Sequence, residues 1–192
     1  MKCGRSPFFR DYANEKIRAY IDLKLVTGLA IQDILTIKVT DLNEEGIHVH
    51  RKKPKGRGSK KKVYQWDPAG LLNRVVQDIH TAHIDHRESA HLFHTRNGKA
   101  YYPTNADGSA AGKPDGWNSM WQRRMKRFAE AGNTRFTDHD LRAKVASDTN
   151  LLHAQQLLDH TNKQTTENIY RRAPTSVSIA RSSIKKQKLA KT

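Results

Sequence analysis

The stretch LLDHTNKQTTENIYRR, residues 157–172, sets His160 and Tyr170 ahead of two arginines. A tyrosine hydroxyl has a free pKa of roughly 10 and is a poor nucleophile unless its surroundings activate it. A second stretch, TDHDLRAK at residues 137–144, carries His139 and Arg142 three residues apart, so on a helix they share a face. A guanidinium fork suits two phosphate oxygens at once, which a lysine cannot match. Taken singly, each of these residues is more often a core or solvated side chain. The run His139, Arg142, His160, Tyr170 is much more specific than any one of them.

The composition of the rest of the chain bears on what partner such a tyrosine could meet. Lysine and arginine number 35 against 19 acidic residues, a formal charge of +16 on 192 residues. Such an excess opposes folding by self-repulsion and signals an anionic partner, with nucleic acid foremost. The length fits one domain with a real core. The single Cys3 rules out an internal disulfide and fits a reducing compartment. No apolar run reaches the roughly 20 residues of a membrane span, and no signal peptide is recognisable. A cytoplasmic, DNA-associated protein is expected.

Several elements must position these side chains. DYANEKIRAYIDLKLVTG places Ile17, Tyr20, Ile21 and Leu25 at helical spacing and stops at Gly28. IQDILTI reads as a second helix with Ile31, Ile34 and Leu35 inward. Ile47, Val49, Arg51 and Lys53 alternate before a Pro- and Gly-containing turn, and residues 62–66 return, predicting a hairpin with a basic tip. Asp67 as N-cap and Pro68 at the first position open a helix with Leu71, Leu72, Val75, Val76 and Ile79 inward. HLFH reads as a short strand leading into a turn-rich loop. Trp117 to Ala131 is the next helix, closed by Gly132; TDHDLRAKVASDT, capped by Thr137 or Asp138, and LLHAQQLLDH follow as two more. The expected fold class is α+β, mainly helical, with helices around a small antiparallel sheet.

In order and wording these motifs resemble the catalytic domain of the tyrosine recombinases, the phage integrase family. HDLRAKVAS resembles its H-x-L-R box, LLDHTNKQTTENIY its L-G-H…Y box, and TGLAIQDILTIKVTDL its first box. The likeness covers roughly Tyr12 to Arg172. It implies a catalytic domain over residues 1–174 and a basic tail over 175–192 that packs on a neighbouring protomer or hangs free. It also implies double-stranded DNA as partner, a homo-oligomer (a tetramer) on that DNA in the full-length protein, and no cofactor. An amino-terminal DNA-clamping domain is expected beside this one in a full recombinase, which would make the chain an excised catalytic domain.

By the same resemblance, Tyr170 is the nucleophile that forms a 3′-phosphotyrosine link, and Arg142 binds the phosphate. His139 handles proton transfer or hydrogen bonding near the nucleophile, and His160 hydrogen-bonds the phosphate. The leaving 5′-oxygen takes its proton from a hairpin lysine. Lys52, Lys53, Lys55, Lys60, Lys61 and Lys62 are the candidates; Lys53, six residues after Ile47, has the favoured spacing. The others, with Arg57, are expected to touch backbone phosphate.

Two positions depart from the family pattern. Its first box reads T-G-x-R, with the arginine on the scissile phosphate; here Ala30 stands in that place. Asp33, three residues on, matches an acidic position that supports the site, so the frame around the missing arginine is intact. That is the pattern of a single substitution rather than of a decaying site, and an impaired catalyst is expected. Asp159 stands where the family has glycine, either tightening the turn before His160 or raising its pKa.

The same residues admit other classes. Ten histidines, including His80, His83, His86, His91 and His94, raise a metal reading, but neither HExxH nor paired cysteines occur, so no metal site is expected. There is no P-loop. A DNA-binding or regulatory protein using the fold without chemistry is the alternative, resting on Ala30 alone.

Overall fold

The structure is a computed structural model that describes residues 9–52, 59–84, 88–103, 105 and 111–148. Among these, six helices and a two-stranded sheet follow in the order α1 (Phe9–Tyr12), α2 (Glu15–Thr27), α3 (Ile31–Thr36), a 3₁₀ turn (Val39–Asp41), β1 (Gly46–Lys52), β2 (Ser59–Gln65), α4 (Leu71–Thr81), α5 (Asp115–Glu130) and α6 (Asp138–Asp148). The expected class, mainly helical around a small antiparallel sheet, is what the chain adopts.

The central element is α2. Asn14 caps it by accepting from the Ile17 N–H at 3.1 Å, and Gly28 ends it in the left-handed region, φ 65°. The sequence reads as one helix starting near Asp11; instead Asn14 splits it, because its side chain satisfies a free N–H of a new first turn. The short α1 before it buries Phe9, whose ring meets Trp121, Phe128 and Phe136 at 5.0–5.3 Å. α2 packs against α4 and α6, α1 against α5, and α3 against β1. Ile17, Leu23, Ile34, Leu35, Ile47 and Ile79 are fully buried between these elements. Each such side chain contributes about 1.5–3 kcal/mol relative to leaving it exposed. Tyr20, at the same depth, packs on Trp117 at 4.7 Å and on Phe93 at 6.0 Å.

The predicted hairpin forms, with Ile47 opposite Tyr64, Val49 opposite Lys62 and His50 opposite Lys61. Its second strand begins at Ser59, three residues before the return expected from sequence. The base is closed by Trp66, whose indole N–H donates to the Asn43 carbonyl at 2.9 Å.

Two other expectations need correction. Gly70, not Asp67, occupies the N-cap of α4, and Pro68 lies in the preceding turn. The Asp67 carboxylate still accepts from the Leu71 and Leu72 N–H groups at 2.8 and 2.7 Å, so the capping chemistry survives at a different position. These bonds to the ionised form hold its pKa below the ordinary range. HLFH forms single bridges, His91 with Lys38 and His94 with Ala100, rather than a strand. Leu92 and Phe93 between them are buried, so that segment follows core packing rather than a ladder.

Candidate functional site

The first half of the site is a turn. Gly28 accepts the positive φ that ends α2, and Ala30 follows as the N-cap of α3 in extended conformation, φ −72° and ψ 155°. Ala30 makes no side-chain cap bond and is half-buried. Asp33, in the first turn of α3, is buried.

The second half is α6. Thr137 is its cap: its hydroxyl oxygen accepts from the Asp140 N–H at 3.3 Å, and the Asp140 carboxylate accepts from the Thr137 N–H at 2.9 Å. This reciprocal capping box settles the cap in favour of Thr137 over Asp138. It leaves Asp138 available for α2. The Tyr20 hydroxyl donates to Asp138 at 2.5 Å, and the Lys24 ammonium lies 2.7 Å from the same carboxylate. One turn further on, buried Arg142 donates from Nη1 to the Gly28 carbonyl. His139 is exposed on the same helix.

The two motifs that are far apart in sequence therefore meet. Arg142 sits against the turn that carries position 30, and His139 opens to solvent one turn before it. Burial pushes the Tyr20 hydroxyl well above its ordinary pKa, reinforced by the Asp138 charge. Burial also lowers Lys24, opposed by Asp138 and helped by the Arg142 charge.

The hairpin cations divide. Lys61 and Lys62 are adjacent in β2 and so project to opposite faces. Lys61 is exposed; Lys62 shares a face with Val49 and holds its ammonium 5.0 Å from the Tyr64 ring centroid. The two lysines expected to touch backbone phosphate therefore lie on different faces of the hairpin. Lys52 and Lys60 belong to the two strands, paired with Ser59 and Arg51. Lys53, Lys55 and Arg57 lie outside the described residues, as do His160, Tyr170, Asp159, the helix expected over LLHAQQLLDH and the basic tail.

The histidine cluster forms a different place. His80, His83, His91 and His94 line a cavity of about 380 Å³ beside Val39, Ile84 and Glu88. The His83 and His94 ring centroids lie 4.1 Å apart with the planes tilted by 34°. Among the described residues no three His, Cys, Asp or Glu side chains are placed to hold a metal ion. His86 lies outside them. No described helix is long and apolar enough to cross a membrane.

The sequence reading took Tyr20 only as core and Asp138 only as a cap, and it passed over Lys24. The signal was present: a lysine inside the apolar run YIDLKLVTG, four residues after Tyr20, is an uncommon choice for a buried helix.

Residues 9–176 match the phage integrase family, and the chain belongs to it. Its fold is that of solved tyrosine recombinase and integrase structures. One is XerA recombinase, at TM-score 0.62 and 16% identity, covering 86% of this chain and 57% of that one. Another is a lambda integrase dimer bound to a COC′ core site, at TM-score 0.60 and 13% identity, covering 89% and 58%. A third is the Tn1549 transposon integrase in complex with transposon right end DNA, at TM-score 0.56 and 18% identity, covering 83% and 56%. This chain thus spans a little over half the length of those proteins. No curated protein sequence matches it.

Proposed function

We propose that the chain is the catalytic domain of a site-specific DNA recombinase that cleaves and rejoins strands through a 3′-phosphotyrosine intermediate on Tyr170. The observation that carries this reading is the hydrogen bond from Arg142 to the Gly28 carbonyl, which joins the H-x-L-R helix to the T-G turn. A phosphate docked there would meet the Arg142 guanidinium, with His139 at the rim. The tyrosine oxygen attacks phosphorus and its proton leaves to a nearby base. The 5′-oxygen departs and takes a proton from a hairpin lysine, with Lys53 preferred. His160 hydrogen-bonds a phosphate oxygen, and Asp33 supports the turn from α3. Bond energy is kept in the phosphotyrosine, so no cofactor is required; positioning and preorganised cations supply the catalysis.

Position 30 is the weak point. An alanine there leaves the phosphate without one guanidinium, so this chain is an impaired catalyst. Double-stranded DNA is the partner, and a tetramer on DNA is the working assembly of the full-length protein in the cytoplasm. Lys52, Lys55, Arg57, Lys60 and Lys61 supply phosphate contacts.

The test uses the Ala30→Arg form with a pool of nicked duplexes randomised around the nick. A protein–DNA adduct that survives denaturant, maps to Tyr170 and is lost in Tyr170→Phe at nearly unchanged DNA affinity supports the reading. Mapping to Tyr101 or Tyr102 overturns the nucleophile. DNA binding without any adduct favours a binding protein that uses the fold without chemistry.

A further inference from the structure

The turn before position 30 is held by two cations on consecutive carbonyls. Arg142 donates to Gly28, and the Lys24 ammonium donates to Leu29 at 3.1 Å. Lys24 has no exposed surface. Taking an ammonium out of water costs several kcal/mol, and an apolar side chain of similar volume could fill such a place without that cost. Packing alone therefore gives no reason for a lysine here. What the ammonium supplies that a methionine cannot is a pair of directed bonds, one to the Asp138 carboxylate and one to the Leu29 carbonyl. Tyr20 adds a third tie by donating to Asp138. Asp138 is the first residue of α6, His139 is the next, and Arg142 lies one turn on.

We propose that Lys24 is a positioning residue of the strand-cleavage site. Anchored on Asp138, its ammonium holds the Leu29 carbonyl and so sets how Arg142 and the side chain at position 30 are aimed at one phosphate. It touches no substrate and acts through the turn. The charged and titratable groups around it are Tyr20 on α2, Asp138 and Arg142 on α6, and Asp33 on α3. The catalytic part of this inference rests on the recombinase reading; the structural part does not.

Lys24→Met alone would strand the Asp138 charge, so the decisive variant is Lys24→Met with Asp138→Asn in the Ala30→Arg background. It removes both charges, still offers Tyr20 an acceptor, and leaves Leu29 without its donor. Four readouts are compared with the parent: melting temperature, affinity for a nicked duplex recovered from the randomised pool, single-turnover adduct formation on that duplex, and the Arg142 guanidinium resonances by NMR in the free protein. The expected result is a near-parental melting temperature, affinity within about twofold, and adduct formation slower by about ten- to a hundredfold, the scale of a small misplacement of catalytic groups. The Arg142 Nη resonances should also shift or average. Parental adduct rates with unchanged Arg142 resonances would overturn the proposal and leave the pair as a stabilising contact only.

If the Ala30→Arg parent forms no adduct, the recombinase reading fails by itself, and the Arg142 resonances still decide the role of Lys24. If the double variant does not fold, alkaline titration of the unsubstituted protein decides instead. Arg142 resonances that move with the Lys24 ammonium support the proposal, and resonances that ignore its deprotonation overturn it. Tyr20 is shifted upward and Lys24 downward, so their titrations move apart.

Discussion

Arg142 reaches across 114 positions of sequence to donate a hydrogen bond to the Gly28 carbonyl. That contact sets the buried guanidinium of α6 beside the turn whose next-but-one residue is Ala30. The helix of His139 and Arg142 and the turn that leads into α3 are thereby joined at one carbonyl.

The first consequence concerns rate. Losing one preorganised donor of this kind costs about 3–4 kcal/mol of transition-state stabilisation, on the order of a hundred- to a thousandfold. Ala30→Arg is expected to raise cleavage by that factor with a much smaller gain in DNA affinity. Ala30→Lys is expected to recover only part, since an ammonium brings the charge without the planar fork. Equal single-turnover rates for the alanine and arginine forms would show that position 30 does not face the phosphate.

The hairpin can be dissected by salt. Lys61 is exposed, whereas Lys62 lies against the Tyr64 ring on the opposite face. Lys61→Ala should flatten the slope of log affinity against log salt by about one unit, as loss of one phosphate contact requires. Lys62→Ala should leave the slope near its parental value. Binding isotherms across a salt series check this, and equal slopes for both variants would refute the assignment of faces.

A buried lysine sets an alkaline signature. Burial lowers Lys16 from its ordinary 10.5 to about 8, while its ammonium donates to the His94 carbonyl at 3.3 Å. The folded pKa lies below the unfolded one, so between about 8 and 10.5 the unfolded chain binds more protons than the folded chain. Stability from this group therefore rises with pH across that window and is lost as pH falls through 8. Lys24 shifts in the same direction, so the difference between variants is the measurement. Lys16→Met should be relatively stabilised at neutral pH, with that advantage shrinking toward pH 10.5; a constant difference in urea midpoints would contradict it.

The base of the hairpin tolerates no side chain at its first residue. Gly46 has φ 149°, and a Cβ there would lie 2.0 Å from the Tyr64 carbonyl oxygen. Gly46→Ala should cost about 3 kcal/mol or more, because backbone rather than a flexible side chain must move. Chemical denaturation that finds less than about 1 kcal/mol would mean the strand pair can open at its base.

Much of this protein was legible one segment at a time. The end of α2 at Gly28, the hairpin alternation from Ile47, the apolar stripe of α4 and the helix carrying His139 and Arg142 all follow from periodicity and terminal residues within a few positions. The spacing of His139, Arg142, His160 and Tyr170 was enough to point to the family. Where local signals competed, the segment alone did not decide. Asp67 and Gly70 both suit the start of α4, Thr137 and Asp138 both suit a cap, and HLFH suits a strand until Leu92 and Phe93 are buried singly.

What only the tertiary structure decided was the company each side chain keeps. Lys24 is a fully buried cation because α6 brings Asp138 to it from 114 residues away, and Tyr20 finds the same carboxylate from 118. Lys61 and Lys62, alike in composition, separate because the pleat sends one to solvent and the other to the Tyr64 ring. Periodicity and capping act over one or two turns of backbone and are written in neighbouring residues. A buried ion pair or a shared carbonyl depends on which faces pack, and the summed burial of the whole chain decides that.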